Sequence, residues 1–126
     1  MKKIALDTNI AIGLLNDDLK IVEQVQPYGN FYLPVTVCGE LLFGALNSVK
    51  KNSNLKKVNK LIQSCKILHT NMLIAESYAK IRLNLKQLGK PIPENDIRIA
   101  AICRVNKIPL LTKDKHFSFV EALKLV

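Results

Sequence analysis

Several common function classes have no foothold in this sequence. Cysteine is scarce: Cys38, Cys65 and Cys103 are odd in number and far apart, so they form neither a disulfide framework nor a paired-cysteine metal motif. Each has apolar residues within a few positions, so the expectation is buried free thiols in a reducing cytoplasm. No Ser, Cys or His arrangement points to a covalent nucleophile, and His69, alone at the end of an apolar pair, reads as structural. Long apolar runs are missing as well. The stretch poorest in charge, Gln24 to Lys50, is broken by Pro27, Gly29, Asn30, Pro34 and Glu40, which excludes a membrane span. The opening MKKIALDTN reaches Asp7 after three apolar residues, too few for a signal peptide. There is no internal repeat, low-complexity tract or linker, and the 126 residues are expected to form one domain, 1–126, burying about two-thirds of the unfolded surface.

Acid is the remaining shortage. Ten Asp and Glu face nineteen Lys and Arg, for a formal charge of +9. Such an excess favours polyanionic partners through long-range attraction and counterion release.

Against this basic background the isolated acids stand out. Ile4-Ala5-Leu6 reads as a buried strand, and Asp7-Thr8-Asn9 as the turn into a helix that follows Asn9 and runs to about Leu15. Asp7 therefore marks the carboxyl end of a core strand, where ligands bind in open α/β sheets; capping the helix is its competing role. Asp17 and Asp18 are expected to cap a second helix ending at Val25. Phe31-Tyr32-Leu33, closed by Pro34, reads as a second strand. The run TVCGELLFGAL from Thr36 places Val37, Leu41 and Ala45 on one helical face. Glu40 flanks that stripe, and a buried carboxylate there needs a basic partner, a proton or a cation. Gly44, one turn on, leaves room for a ligand or for close packing.

Val49 to Lys60 is rich in Lys, Asn and Ser and reads as a loop and then a helix through Ser64, either a solvated face or the border of a nucleic-acid path. Ile67-Leu68 is a short third strand. Asn71 caps a long helix with an apolar stripe of Ile74, Tyr78, Ile81, Leu85 and Leu88, stopped by Gly89. Glu94 and Asn95 open the next helix, Glu94 as its cap. Asp96 shares a face with Ile99, Ala100 and Cys103, so it heads the side that enters the core. Pro109 to Thr112 is a fourth strand ending as the first does, with Asp114 two residues on, among Lys113, Lys115 and His116. Leu123 to Val126 is expected to add a short last strand.

Asp7, Glu40, Asp96 and Asp114 thus stand where they would converge. Four carboxylates brought together raise one another's pKa values unless a divalent cation neutralises them. Oxygen-only donors favour Mg2+ or Mn2+ over Zn2+. Such a site in a basic protein points to phosphodiester chemistry.

With LDTNI at Asp7, ELLFGA at Glu40, GKPIPENDIRIAA at Asp96 and LLTKDKHF at Asp114, the chain resembles the PIN-domain nucleases, and among them the VapC-type toxins of bacterial toxin–antitoxin pairs. The four motifs occur in order over nearly the whole length. The resemblance implies a three-layer α/β/α fold with a parallel sheet of about five strands in the order 3-2-1-4-5. It also implies Mg2+-dependent cleavage of RNA (Mn2+ being the alternative ion), a homodimer and neutralisation by a cognate VapB-type antitoxin. Carried over, Asp7, Glu40, Asp96 and Asp114 form the acidic metal site, supported by hydrogen bonds from Asn9 and Thr112. Arg98, Lys113, Lys115 and the lysines after Val49 are candidates for RNA contact. A non-catalytic basic RNA- or protein-binding module is the alternative. A haloacid-dehalogenase-like phosphatase is disfavoured because its second Asp would fall at Asn9.

Overall fold

The structure, a computed structural model, describes residues 2–126. Its first strand, β1 (Lys2–Leu6), begins exposed and ends with three fully buried residues, Ile4, Ala5 and Leu6. The chain then turns at Asp7 into α1 (Thr8–Leu15), followed by α2 (Leu19–Val25), β2 (Tyr28–Pro34), α3 (Val35–Leu46) and α4 (Lys51–Ser64). Next come β3 (Lys66–Leu68), α5 (Met72–Gln87), α6 (Glu94–Asn106), β4 (Leu110–Leu111) and a 3₁₀ turn over Lys115–Phe119. The strands pair in parallel in the order β3-β2-β1-β4. Each strand-to-strand connection carries helix, as parallel pairing requires.

The sheet has four strands where about five were expected. The segment at Leu123–Val126 lies at the predicted edge, beside β4, but is reduced to one parallel bridge, Leu110 to Leu125. Leu110 N donates to Lys124 O at 2.9 Å and Val126 N to Leu110 O at 3.1 Å. Just before it, Ala122 takes a left-handed φ of 60°, which leaves too little extended chain for a longer ladder.

Three local readings are corrected. Only Asp18 caps α2, accepting from Lys20 N at 3.1 Å; Asp17 instead adopts φ 55° in the turn after α1. Pro93, and not Glu94, holds the cap position of α6. Glu94 opens the helix and pairs with Arg82 (3.4 Å) and Arg98 (3.6 Å) in exposed bridges, which contribute little to stability. Cys38 and Cys103 are buried, whereas Cys65 is half-buried.

The core lies between sheet and helices, with Ile4, Leu6, Leu33, Ile99, Leu110 and Phe117 wholly excluded from solvent. On α5, Ile74, Ile81 and Leu85 are buried and Tyr78 half-buried, but Leu88 is exposed. Asn71 Oδ1 accepts from Ile74 N at 3.0 Å to cap this helix, and Gly89 ends it at φ 66°, a conformation glycine adopts without steric cost. Gly13 has a different reason. A Cβ there would sit 2.1 Å from Ile21 Cδ1, so its absence lets α1 and α2 approach closely.

Candidate metal-binding active site

Asp7 is the first residue beyond β1, and only 2 % of it is exposed. Its backbone N donates to Leu111 O at 3.0 Å, so the sheet register itself sets it beside the end of β4. Strand order reverses between β1 and β4, the crevice in which doubly wound sheets bind ligands. Thr8 N donates to Asp7 Oδ1 at 2.8 Å, making Asp7 the cap of α1. Thr112 Oγ1 donates to the other oxygen, Oδ2, at 2.6 Å, and itself accepts from Asp114 N at 3.0 Å. Both roles weighed for Asp7 are thus realised in one carboxylate: it caps a helix and stands at the sheet's ligand-binding edge.

Asp96 enters from the first turn of α6, with Ile99, Ala100 and Cys103 buried below it. His116 Nε2 lies 2.7 Å from Asp96 Oδ2. Ligand atoms of Asp96, Asp114 and His116 all fall within 4.8 Å of one another. Glu40 reaches the same region from α3. Its Oε1 is buried without a hydrogen-bond partner, and so is the hydroxyl of Thr8. These two groups face each other closely enough for the hydroxyl to favour the ionised Glu40, but they fall short of a formed hydrogen bond.

The electrostatics follow from burial. Desolvation raises the pKa of Asp7 most, against the lowering effect of bonds from Thr112 and Thr8, and the charges of Asp96 and Asp114 raise it further. Glu40 is likewise raised by burial, with Asp96 and Asp7 adding to the shift. Asp96 is raised by burial and by Asp114, and His116 opposes this. The acids therefore share one field, in which each ionised carboxylate makes the next less favourable. Beneath them the Cys103 thiol is pushed up to about 12 by burial and by the Asp7 charge.

This donor set fits a divalent cation. Asp7, Glu40 and Asp96, each raised in pKa by burial and by neighbouring acid charges, together with an orphaned buried oxygen on Glu40, are groups that a divalent positive charge would satisfy. Two participants escaped the sequence reading. Thr8, and not Asn9, is the α1 residue that meets the acids; Asn9 is exposed and hydrogen-bonds none of them. His116 was noted only as a neighbour of Asp114, and its one signal was an imidazole immediately before Phe117.

The remaining candidates lie outside this centre. Lys113 and Lys115 flank Asp114 and are exposed. Arg98 is held by Glu94, by Asn95 Oδ1 at 3.3 Å and over the Tyr78 ring at 5.6 Å. Lys57 of α4 joins Glu40, Ile12, Leu41 and Asn54 around a cavity of about 270 Å³. Gly44 forms part of its wall, and a Cβ there would touch nothing within 4 Å. Of the two readings of that glycine, open space is the one found.

A parallel sheet with carboxylates gathered at its switch point is the arrangement of a PIN domain, and the PIN domain family matches residues 4–123. The chain belongs to that family. Over 124 residues it is 32% identical to Ribonuclease VapC1 of Haemophilus influenzae (strain R2866), covering 94% of this chain and 92% of the relative. The VapBC2 structure from Rickettsia felis, bound to a DNA fragment from its promoter, superposes with a TM-score of 0.88 at 26% identity, covering 98% and 97% of the two chains. VapBC-1 from nontypeable Haemophilus influenzae gives 0.85 at 27% identity, covering 98% and 96%.

Proposed function

We propose that this chain is a metal-dependent endoribonuclease, the toxin of a toxin–antitoxin pair, acting as a single PIN domain within a homodimer. The observation that carries this reading is the gathering of Asp96 and Asp114, with Asp7 tied to Asp114 through Thr112 and Glu40 within reach of the Asp7 and Asp96 charges, at the carboxyl edge of the sheet in a strongly basic protein. Likeness to proteins named as VapC ribonucleases and to VapBC complexes supports it.

Asp7 and Asp96 are the direct metal ligands in this reading, and Asp114 acts through water or a second ion. Carboxylate oxygens suit Mg2+, with Mn2+ as the alternative. A cation bound there would polarise the phosphodiester and acidify the attacking water. Glu40, whose Oε1 is an acceptor with no partner of its own, is in this reading a further metal ligand or the group that assists the water. Thr112 fixes the orientation of Asp7, and Asn9, exposed in the first turn of α1, is the second supporting residue. Lys113, Lys115 and the α4 lysines draw in the RNA backbone, while Arg98, already engaged, contributes least.

A cognate VapB-type antitoxin and the second copy of the chain need surface. Phe43 and Leu46 on α3 and Leu73 and Leu83 on α5 are each more than half exposed, an excess of apolar area suited to protein partners. Among the described residues no helix is long and apolar enough to cross a membrane.

Purified protein incubated with total cellular RNA tests the proposal. Discrete fragments are expected with Mg2+ and absent with EDTA or in Asp7→Asn. RNA binding without any metal-dependent cleavage would replace the nuclease with a binding module.

A further inference from the structure

His116 lies outside every role assigned so far, yet the fold holds it firmly at the acids. The 3₁₀ turn that carries it is closed by Ser118 Oγ, which donates to Lys115 O at 2.7 Å. At its start, Asp114 N is tied to Thr112 Oγ1. Behind the imidazole lies Phe117, wholly buried, with ring centroids 5.0 Å apart. The His116 side chain is 28% exposed and that of Asp96 16%. The turn therefore delivers two donors, Asp114 and His116, to the start of α6, where Asp96 waits.

A simple ion pair would need Asp96 alone. Here Nε2 is within 2.7 Å of Asp96 Oδ2, and the Asp114 carboxylate closes on the same point, all three ligand atoms lying within 4.8 Å. An ion with bonds of about 2.1 Å sets its ligands roughly 3 to 4 Å apart, a span that small side-chain rotations reach from this arrangement. In the metal-free protein a proton lies between Nε2 and Asp96 Oδ2; an ion that displaces it would take the Nε2 lone pair, the remaining imidazole proton being on Nδ1.

We infer that His116 is a direct metal ligand through Nε2, making with Asp96 and Asp114 a mixed nitrogen and oxygen site that favours Mn2+ over Mg2+. The inference rests on the metal-dependent reading above and sharpens it. Mg2+ is a hard ion that seeks oxygen, whereas imidazole suits first-row transition ions and raises their affinity selectively. The chain has only two histidines, and His69 is exposed beyond β3, at the far edge of the sheet from β4. It serves as an internal control.

The experiment is pulsed electron paramagnetic resonance of Mn2+ bound to the intact protein, which detects a coordinated imidazole nitrogen directly. Mg2+ and Mn2+ affinities are measured calorimetrically alongside. Nitrogen modulation is expected in the native protein and in His69→Gln, and not in His116→Gln, which can still hydrogen-bond Asp96. The Mn2+ to Mg2+ affinity ratio should fall at least about tenfold in His116→Gln. Bound Mn2+ without nitrogen modulation in the native protein, or an unchanged ratio in His116→Gln, would overturn the assignment. Either result leaves the nuclease standing if RNA is still cut with metal and not by Asp7→Asn. Failure of the native protein to bind Mn2+ or Mg2+ at all would remove both readings.

Discussion

Thr112 Oγ1 and Asp7 Oδ2, 105 residues apart in sequence, meet at 2.6 Å across the ends of two neighbouring parallel strands. The same hydroxyl accepts from Asp114 N, so one threonine orients two of the four acids. Thr112→Val keeps the shape and removes both bonds. It should lower stability by about 1–2 kcal/mol and reduce metal affinity or cleavage roughly 10- to 100-fold. Urea unfolding and cleavage rates at varied metal concentration check this; Thr112→Ser should recover most of both.

Burial of Asp7, Glu40 and Asp96 has a signed consequence for stability. Each has a folded-state pKa above its ordinary value, so between the two values the folded protein holds more protons than the unfolded chain. Stability of the metal-free protein therefore falls as pH rises from the ordinary range, near 3.8 for Asp and 4.5 for Glu, through the folded values. The penalty is complete above them. In EDTA at neutral pH, Asp7→Asn should melt higher than the native protein by about 3 °C or more, a gain that shrinks as pH is lowered. Saturating divalent cation should reverse the order, since only the native site binds it. Melting curves with and without metal at two pH values decide it.

Gly13→Ala opposes two effects. Alanine favours the helix by about 1 kcal/mol, but its Cβ would lie 2.1 Å from Ile21 Cδ1, and overpacking costs about 1–3 kcal/mol. Gly13 and Ile21 are both buried, so the clash should dominate and the variant should be less stable. Ile21→Val deletes the offending atom. In that background Gly13→Ala should become neutral or stabilising, which a double-mutant cycle by urea unfolding reads directly.

RNA affinity should depend steeply on salt. With Asp7→Asn to prevent cleavage, Lys57→Gln should lower the slope of log affinity against log salt by about 0.7 for single-stranded RNA. An unaltered slope would place the backbone path away from α4.

Much of the fold could be read from residue pattern because its determinants are local. Ile4-Ala5-Leu6 before Asp7, Asn71 before a periodic stripe and Gly89 after it each specify an element within a few residues. The PIN-type sheet order came from the resemblance, not from pattern, and Leu123–Val126 fell short of a strand because Ala122 turns the chain at φ 60°. At the site, Asp96 was marked by sharing a face with Ile99 and Cys103. The difference between Thr8 and Asn9 was not legible, since it depends on about 100° of rotation about the α1 axis, which the cap at Asp7 sets. Nor was the approach of His116 to Asp96. That contact joins a five-residue 3₁₀ turn to the start of another helix, and no periodicity reports such a meeting.

Cys103, sealed under Asp7 with its thiol pushed up to about 12, gives the molecule a built-in clock. A thiol reagent should reach half-buried Cys65 first and Cys103 last, because the latter must wait for α6 to lift from the sheet. The labelling rate of that one sulfur counts openings of the floor beneath the acids. A cation that Asp7 and Asp96 would hold should slow the count.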